Sequence, residues 1–544
     1  MNKHHMGRVL LAGALSGALA LAGCSKSGSN DGEKAAGGDT LPKNFNAQNY
    51  PIVNDKITLQ MMGAKAPIQG PWNEMELFKE MEAMTNIAFE FNTPPNTNYA
   101  EAKSLSFASH QLPDVFFNAS LTPDDEVTYG QQGDLIPLEG LIDKYAPNLK
   151  KLLADNPDIK KSITTMDGHI YSLPLIIDQL RADVSARMWI NGDWMTNLGI
   201  AKAPTTTDEL YDLLKKFKSG DPNKNGKADD IPLSATKLNG QAASAGLLSF
   251  EGYLLPAFGL LGRDMEVKDG KVRFNPVQEQ FKAFLAYMNK LYTEKLLDNE
   301  AFVQTSQQMN AKGNQEQIGV FFASSPDLVL KVAKPEDSEK HVLLGPLTSP
   351  VNDQKLAFKN SKIRRGTFAI TSANKYPEAT IRWVDYLYSS EGSKLGYLGK
   401  SWKWLDDSKS KWTFVAPAGV NSEEYRGKLT PDVGGQVPLI KEKDFDNKRD
   451  NFVNIFLNRV TEKELLPYAK TAFPDVYFTN DEQKRMNVIK TDIRTYVDQM
   501  EAKFIVGQES LDKWDTYVST IKKMGLDEMV KINQDAYDRW NASK

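Results

Sequence analysis

Asp221-Pro-Asn-Lys-Asn-Gly-Lys-Ala-Asp-Asp-Ile-Pro232 is the stretch on which the reading of this 544-residue chain turns. Asp221, Asn223 and Asn225 put side-chain oxygens at alternate positions, and Gly226 follows where a chain wrapping an ion must turn sharply. A hard cation takes several oxygen ligands, and alternate residues of a tight loop deliver them, so this is the first half of a calcium loop. The second half departs from the EF-hand pattern. Its twelfth position is Pro232 in place of a bidentate Glu, so closing carboxylates must come from Asp229 and Asp230, with the Lys227 carbonyl between them. The competing reading is a solvated Asn-Gly turn.

The flanks support a folded role for the loop. Thr206-x-x-Glu209 is a capping-box pattern, and Leu210, Leu213, Leu214 and Phe217 follow at helical spacing until Gly220. A cation here pins the end of that helix to Ile231-Pro-Leu233, which is the work of a staple rather than a catalyst. The whole run from Pro204 to Ser234, PTTTDELYDLLKKFKSGDPNKNGKADDIPLS, resembles the large lipoprotein solute-binding proteins of carbohydrate ABC importers, the group that includes the alginate-oligosaccharide binding proteins. That resemblance implies a structural Ca2+ held by Asp221, Asn223, Asn225, Lys227, Asp229 and Asp230. It also implies an α/β, two-lobed fold of the type II periplasmic-binding-protein kind, with a hinge between the lobes and a large helical C-terminal part.

The N-terminus points to an address. Met1 to Arg8 is short and basic, and Val9 to Ala22 is apolar but too short to span a bilayer, as in a signal peptide. It ends Leu21-Ala-Gly-Cys24, which resembles the lipobox of bacterial lipoproteins. The resemblance implies removal of residues 1–23 and acylation of Cys24 by palmitate-type chains, leaving the protein lipid-anchored on the extracellular face of the cell membrane. Cys24 is the sole cysteine, so it has no partner for a disulfide within the chain. Residues 24–50, rich in Gly, Ser, Lys and Asp, read as a disordered tether. The 66 basic and 70 acidic residues nearly balance, which leaves no basic excess for nucleic acid.

Along the body, Ile57-Thr-Leu-Gln-Met-Met, a helix from about Asn73, Ile87-Ala-Phe-Glu-Phe and Leu112-Pro-Asp-Val-Phe-Phe117 give a β-α-β-β order and hence lobes built on largely parallel sheets. Asn275-Pro276 opens a helix striped by Phe281, Phe284, Leu285, Met288, Leu291 and Tyr292. Ile318-Gly-Val-Phe-Phe-Ala323 is expected to return the chain to the first lobe. Gly366-Thr-Phe-Ala-Ile370 and the Tyr376-Pro segment after it resemble the hinge strand and helix of maltose-type receptors. The expected lobes are therefore 51–175 with 318–388, and 176–317 with 389–544.

No catalytic constellation stands out. HExxH and GxSxG are absent, and His110, His169 and His341 are isolated. The expected function is capture of an oligosaccharide between the lobes, by a monomer, and delivery to ABC permease subunits, without enzymatic turnover. The alternative is a lipid-anchored extracellular glycosidase or polysaccharide lyase, which needs two carboxyl groups roughly 5–10 Å apart. Ligands of open α/β sheets sit beyond the carboxyl ends of strands. On that rule Trp72, Asn118 and Ser120 face Glu251, Tyr253, Trp402 and Trp404 across the cleft, aromatic faces stacking on pyranose rings while the polar groups bond hydroxyls. The competing account places the tryptophans in the core. The segment Gly396 to Trp402 lacks the acidic residue of its family counterpart.

Overall fold

Alternation of buried and exposed residues along Ile57–Met62 fixes β1 as a strand with one face in a core. A computed structural model describes residues 43–236 and 245–542. The leader, Cys24 and the expected tether as far as residue 42 lie outside the described residues, but the end of that tether is folded: Phe45 is buried in the first core and bridges to Val53, and Arg382 donates to the Gln48 and Asn49 carbonyls, because one apolar ring in a polar run is enough to dock it. From β1 the chain builds β2 (Ile87–Asn92), β3 (Val115–Phe117) and β4 (Leu173–Ile177). It then crosses to β5 (Met188–Ile190), β6 (Ile231–Ser234), the hairpin β7 and β8 (Met265–Lys268, Lys271–Phe274), β9 (Ile318–Phe322) and β10 (Val342–Leu343). β11 (Ala357–Phe358) leads to β12 (Ile363–Ile370), the hairpin β13 and β14 (Trp402–Trp404, Trp412–Phe414), β15 (Ile440–Lys441) and β16 (Ala469–Lys470).

Two sheets organise these strands. The larger has six, in the order β15-β4-β12-β3-β1-β2, and the smaller four, in the order β10-β5-β9-β6. β1 runs parallel to β2 and β3, and β6 parallel to β9, whereas β12 and β5 run against their neighbours. Each sheet carries its own core. Trp72, Phe78, Phe117 and Trp383 fill the first; Trp189, Phe217, Phe321 and the C-terminal helices fill the second. The chain passes between the sheets three times: after β4, between β10 and β12, and after β15 on the way to helix Phe452–Glu464, which joins the second core.

The strand placement expected from sequence needs two corrections. β9 does not return to the first sheet; it lies between β5 and β6, and the return is made by β12. All five β9 residues are buried because the strand is central in its sheet, and a buried run does not say which sheet it is central to. Segment 389–441 does not belong with the second core either. Val437 and Leu439 pack in the first core and β15 pairs with β4. The striped helix Glu279–Thr293 buries Phe281, Phe284, Leu285, Met288 and Leu291 as expected, and packs on the long helix Asn480–Val506. That helix starts at a Thr479/Glu482 capping box and stops at Gly507, where φ is 75°.

Candidate binding cavity and cation loop

The side chains expected to meet a sugar are not brought together. Trp72 is 1% exposed: its indole stacks on Phe78, meets Phe117 and Phe91 edge-on, and donates to Gln69 Oε1 at 3.1 Å. A methyl group at Gly63 would lie 2.4 Å from the ring, so no face is left for a ligand. Asn118 is buried with its amide donating to the Ala64 carbonyl (2.7 Å) and its Oδ1 accepting from Gln436 N (2.6 Å), a clasp between β3 and the loop before β15. Tyr253 is buried and donates to the carbonyls of Leu344 and Gly345. Trp402 and Trp404 are half-buried on the β13–β14 hairpin, edge-on to each other and to Phe445. Only Ser120, at the carboxyl end of β3, is exposed. A large aromatic just after a strand suits a cleft wall or a core equally by its position in sequence, and here the Trp72 ring is core.

Glu251 is sealed as well. It pairs with Arg263 Nε at 3.1 Å and faces Glu501 from helix Asn480–Val506; Arg263 also pairs with Glu501 and Asp498. Burial, and then the neighbouring Glu501, hold the Glu251 carboxyl protonated far above the ordinary carboxylate range. Both carboxyls are beyond reach of a substrate. A carboxyl whose native pKa is raised keeps its proton when the unfolded chain has lost it, so its contribution to stability falls as pH rises above roughly 4.3. Glu251→Gln cannot ionise. Its stability relative to wild type should therefore rise between pH 5 and pH 8, by up to about 1.4 kcal/mol per pH unit, read as a growing difference in melting temperature. An identical difference at both pH values would show that the pair shares no proton.

A different set of residues forms a cavity. β6 and β9 run parallel and end side by side, and the residues that follow them, Thr236, Ala323 and Ser324, open onto a space of 550 Å³. Ser185 and Arg187 of the first crossing and Phe358 and Asn360 of the second form its other walls, with Asn310 from helix Ser306–Asn314. The crossings are tied to each other at this point. Asn360 Nδ2 donates to the Ala182 carbonyl (2.7 Å) and to Ser185 Oγ (2.9 Å), and its N–H to the Asp183 carbonyl (2.8 Å). Lys362 Nζ meets Asp178 Oδ1 at 2.6 Å. The cavity is thus built at the carboxyl ends of strands and beside the segments that join the sheets.

Its chemistry is hydroxylic and aromatic. Ser185, Thr236, Asn310, Ser324 and Asn360 offer neutral donors and acceptors, Phe322 and Phe358 offer rings, and among the described residues no carboxylate lines it. Arg187 is the one charged group among the described lining residues: buried, donating to the Arg181 carbonyl (2.8 Å) and to Thr461 Oγ1 (3.1 Å), with no carboxylate partner among the described residues. Burial and the nearby Arg181 bring its pKa down to about 10, so it stays protonated. Small polar residues after buried strands carry no sequence signal by themselves; the strand-end rule applied to the second sheet would have found Thr236 and Ser324.

The loop at Asp221 is shaped by its own oxygens. Asp221 has φ of 45°, and its carboxylate accepts from Asn225 N and Gly226 N, both at 3.1 Å. Asn225 Oδ1 accepts from Lys227 N at 2.7 Å, and Asp229 accepts from Asn225 Nδ2 (3.0 Å) and Gln317 Nε2 (2.9 Å). The three carboxylates alone do not form a metal-binding cluster; the other oxygens must come from amides and the Lys227 carbonyl. The fit to a cation rests on Asp230. Its Oδ1 is buried with no donor, and burial together with Asp229 and Asp221 pushes its carboxyl up to about 6. That is a site short of positive charge. The loop joins helix Thr207–Ser219 to β6, and Asn223 Nδ2 reaches the Glu316 carbonyl just before β9.

Known proteins share this architecture. Residues 65–394 match the family model described as bacterial extracellular solute-binding protein. The fructooligosaccharide ABC transporter substrate-binding protein FusA of Streptococcus pneumoniae is 30% identical over 521 residues, 91% of this chain and 92% of that protein. The structure of FusA in complex with kestose superposes with a TM-score of 0.73 over 90% of this chain and 100% of that one. A FusA EF-hand mutant in complex with fructo-nystose gives 0.72 with the same coverage. Lipoprotein LipO of Bacillus subtilis is 23% identical over 496 residues, 88% of this chain and 91% of LipO. The resemblance and the fold class expected from sequence are both borne out.

Proposed function

Since the chain belongs to the bacterial extracellular solute-binding protein family, we propose that it is the substrate-binding component of a carbohydrate ABC transporter, which closes two lobes on an oligosaccharide and hands it to the permease. The observation that carries the ligand class is the cavity at the ends of β6 and β9: neutral hydrogen-bonding groups and two phenylalanine rings suit a polyhydroxylated ligand with apolar ring faces. FusA, as its name states, binds fructooligosaccharides, so these are the first ligands to test. The lobes are the two sheet-centred halves, roughly 44–177 with 363–441, and 188–343 with 452–542, and the ligand bridges them at the crossings. The role is binding without turnover: the described residues of the cavity lining include no carboxylate pair, and Glu251 and Glu501 are sealed. A thermal-shift panel of oligosaccharides, with mass spectrometry of the incubated sugars, tests this. Stabilisation with intact sugar is expected; cleaved sugar at useful turnover would replace this reading with the glycosidase or lyase one.

A Ca2+ in the Asp221 loop fits as a staple, held by side-chain oxygens of Asp221, Asn223, Asn225, Asp229 and Asp230 and the Lys227 carbonyl. It supplies the positive charge that the unpartnered Asp230 oxygen lacks. That FusA has an EF-hand to mutate supports the same reading. Attachment runs through Cys24: two acyl chains anchor stably where one is marginal. No helix among the described residues is long and apolar enough to cross a membrane. Cys24→Ala should move the protein from the membrane fraction to the medium with its melt unchanged. Retention in the membrane would place the anchor elsewhere.

A further inference from the structure

Phe358 lines two cavities. One is the 550 Å³ space already described; the other, of 290 Å³, lies on the side toward the C-terminal helices. Pairing of β11 with β16 fixes Phe358 in place, and its ring packs near Gly262 and Ala472, which belong to the second cavity. Gly262 leaves space there, since even an added methyl would stand 3.8 Å from the Phe358 ring. The second cavity combines apolar walls with a charged rim. Phe473 and Phe358 supply rings, while Asp264, Lys490 and Arg494 stand around them. Arg494 is exposed and has no ion pair among the described residues. Aromatic surface with planar charged groups at its edge is the composition that holds a sugar ring by one face and its hydroxyls by their edges. Ligand sites usually measure roughly 300–1,000 Å³, so the smaller cavity suits an extension of a bound chain better than a separate ligand.

We propose that the second cavity continues the binding site past Phe358 and holds the distal units of an oligosaccharide whose first units occupy the cavity at β6 and β9. The inference rests on the carbohydrate reading above. It assigns the C-terminal helical part, through Arg494 and its neighbours on helix Asn480–Val506, a share in selecting ligand length.

Calorimetric titration of the full soluble chain with fructooligosaccharides of three units and of six or more units tests it. Wild type should bind the longer chains at least tenfold more tightly. Arg494→Ala and Phe473→Ala should each remove most of that advantage while leaving the trimer unaffected; Arg494 is exposed, so its variant tests the idea even if Phe473→Ala unfolds. Ser324→Trp, in the first cavity, should abolish binding of both lengths. Equal wild-type affinity for both lengths, or unchanged binding of the long chains by Arg494→Ala, overturns the extension alone. If Ser324→Trp binds both normally, or wild type binds neither, the first cavity is misassigned for these sugars and the extension falls with it.

Discussion

Ser324→Trp is expected to lower oligosaccharide affinity at least a hundredfold while leaving the melting temperature close to that of wild type. Ser324 is exposed at the end of β9, so a large side chain there meets no core; it occupies the space between Thr236, Phe358 and Asn360 instead. A hundredfold loss corresponds to about 2.8 kcal/mol, which is what exclusion of one stacked ring and its hydrogen bonds can supply. Trp72→Ala makes the contrast. Trp72 is packed among Phe78, Phe91 and Phe117, so its truncation costs about 3–5 kcal/mol of stability and reaches the ligand only through the fold. A Ser324→Trp protein that binds with unchanged affinity, checked by calorimetry, would move the site away from β9.

Calcium gives the second large effect. An ion that binds the native loop and not the unfolded chain stabilises by about 2.7 kcal/mol at a hundredfold excess over its Kd. A chelator should therefore lower the melting temperature by on the order of 2–5 °C. Asp221→Ala should melt lower than wild type with or without chelator, because Asp221 also accepts from Asn225 N and Gly226 N. Its diagnostic is insensitivity: adding chelator should shift the variant by nothing. Sugar binding at low temperature should survive, since the loop lies between helix Thr207–Ser219 and β6 at the amino end of the strand, and the cavity at its carboxyl end. Wild-type melts that ignore excess chelator would return the loop to an Asn-Gly turn.

Elements whose pattern is local were legible from sequence. Leu210, Leu213, Leu214 and Phe217 are buried on one helix face, and Thr206 Oγ1 accepts from Glu209 N at 3.1 Å. Even there the reciprocal half of the box differs, because the Glu209 carboxylate bonds Thr205 instead of the Thr206 N–H. What sequence could not resolve is non-local. Ile318–Phe322 reads as a buried strand whichever sheet surrounds it, and Trp72 reads the same whether its neighbours are Phe78 and Phe117 or a sugar. Thr236, Ser324 and Asn360 are ordinary polar residues until the crossings bring them to one wall. The cavity therefore depends on which strands end together, and that is a property of topology.

Capture of an oligosaccharide without turnover, in the cavity between the β6 and β9 strand ends and the inter-sheet crossings, is checked by titrating wild-type protein with fructooligosaccharides in a calorimeter and recovering the sugar afterwards. Saturable binding of one ligand per chain is expected, with the sugar recovered at its original length. Shortened sugar, or no heat with these or any other oligosaccharides on the panel, would contradict it.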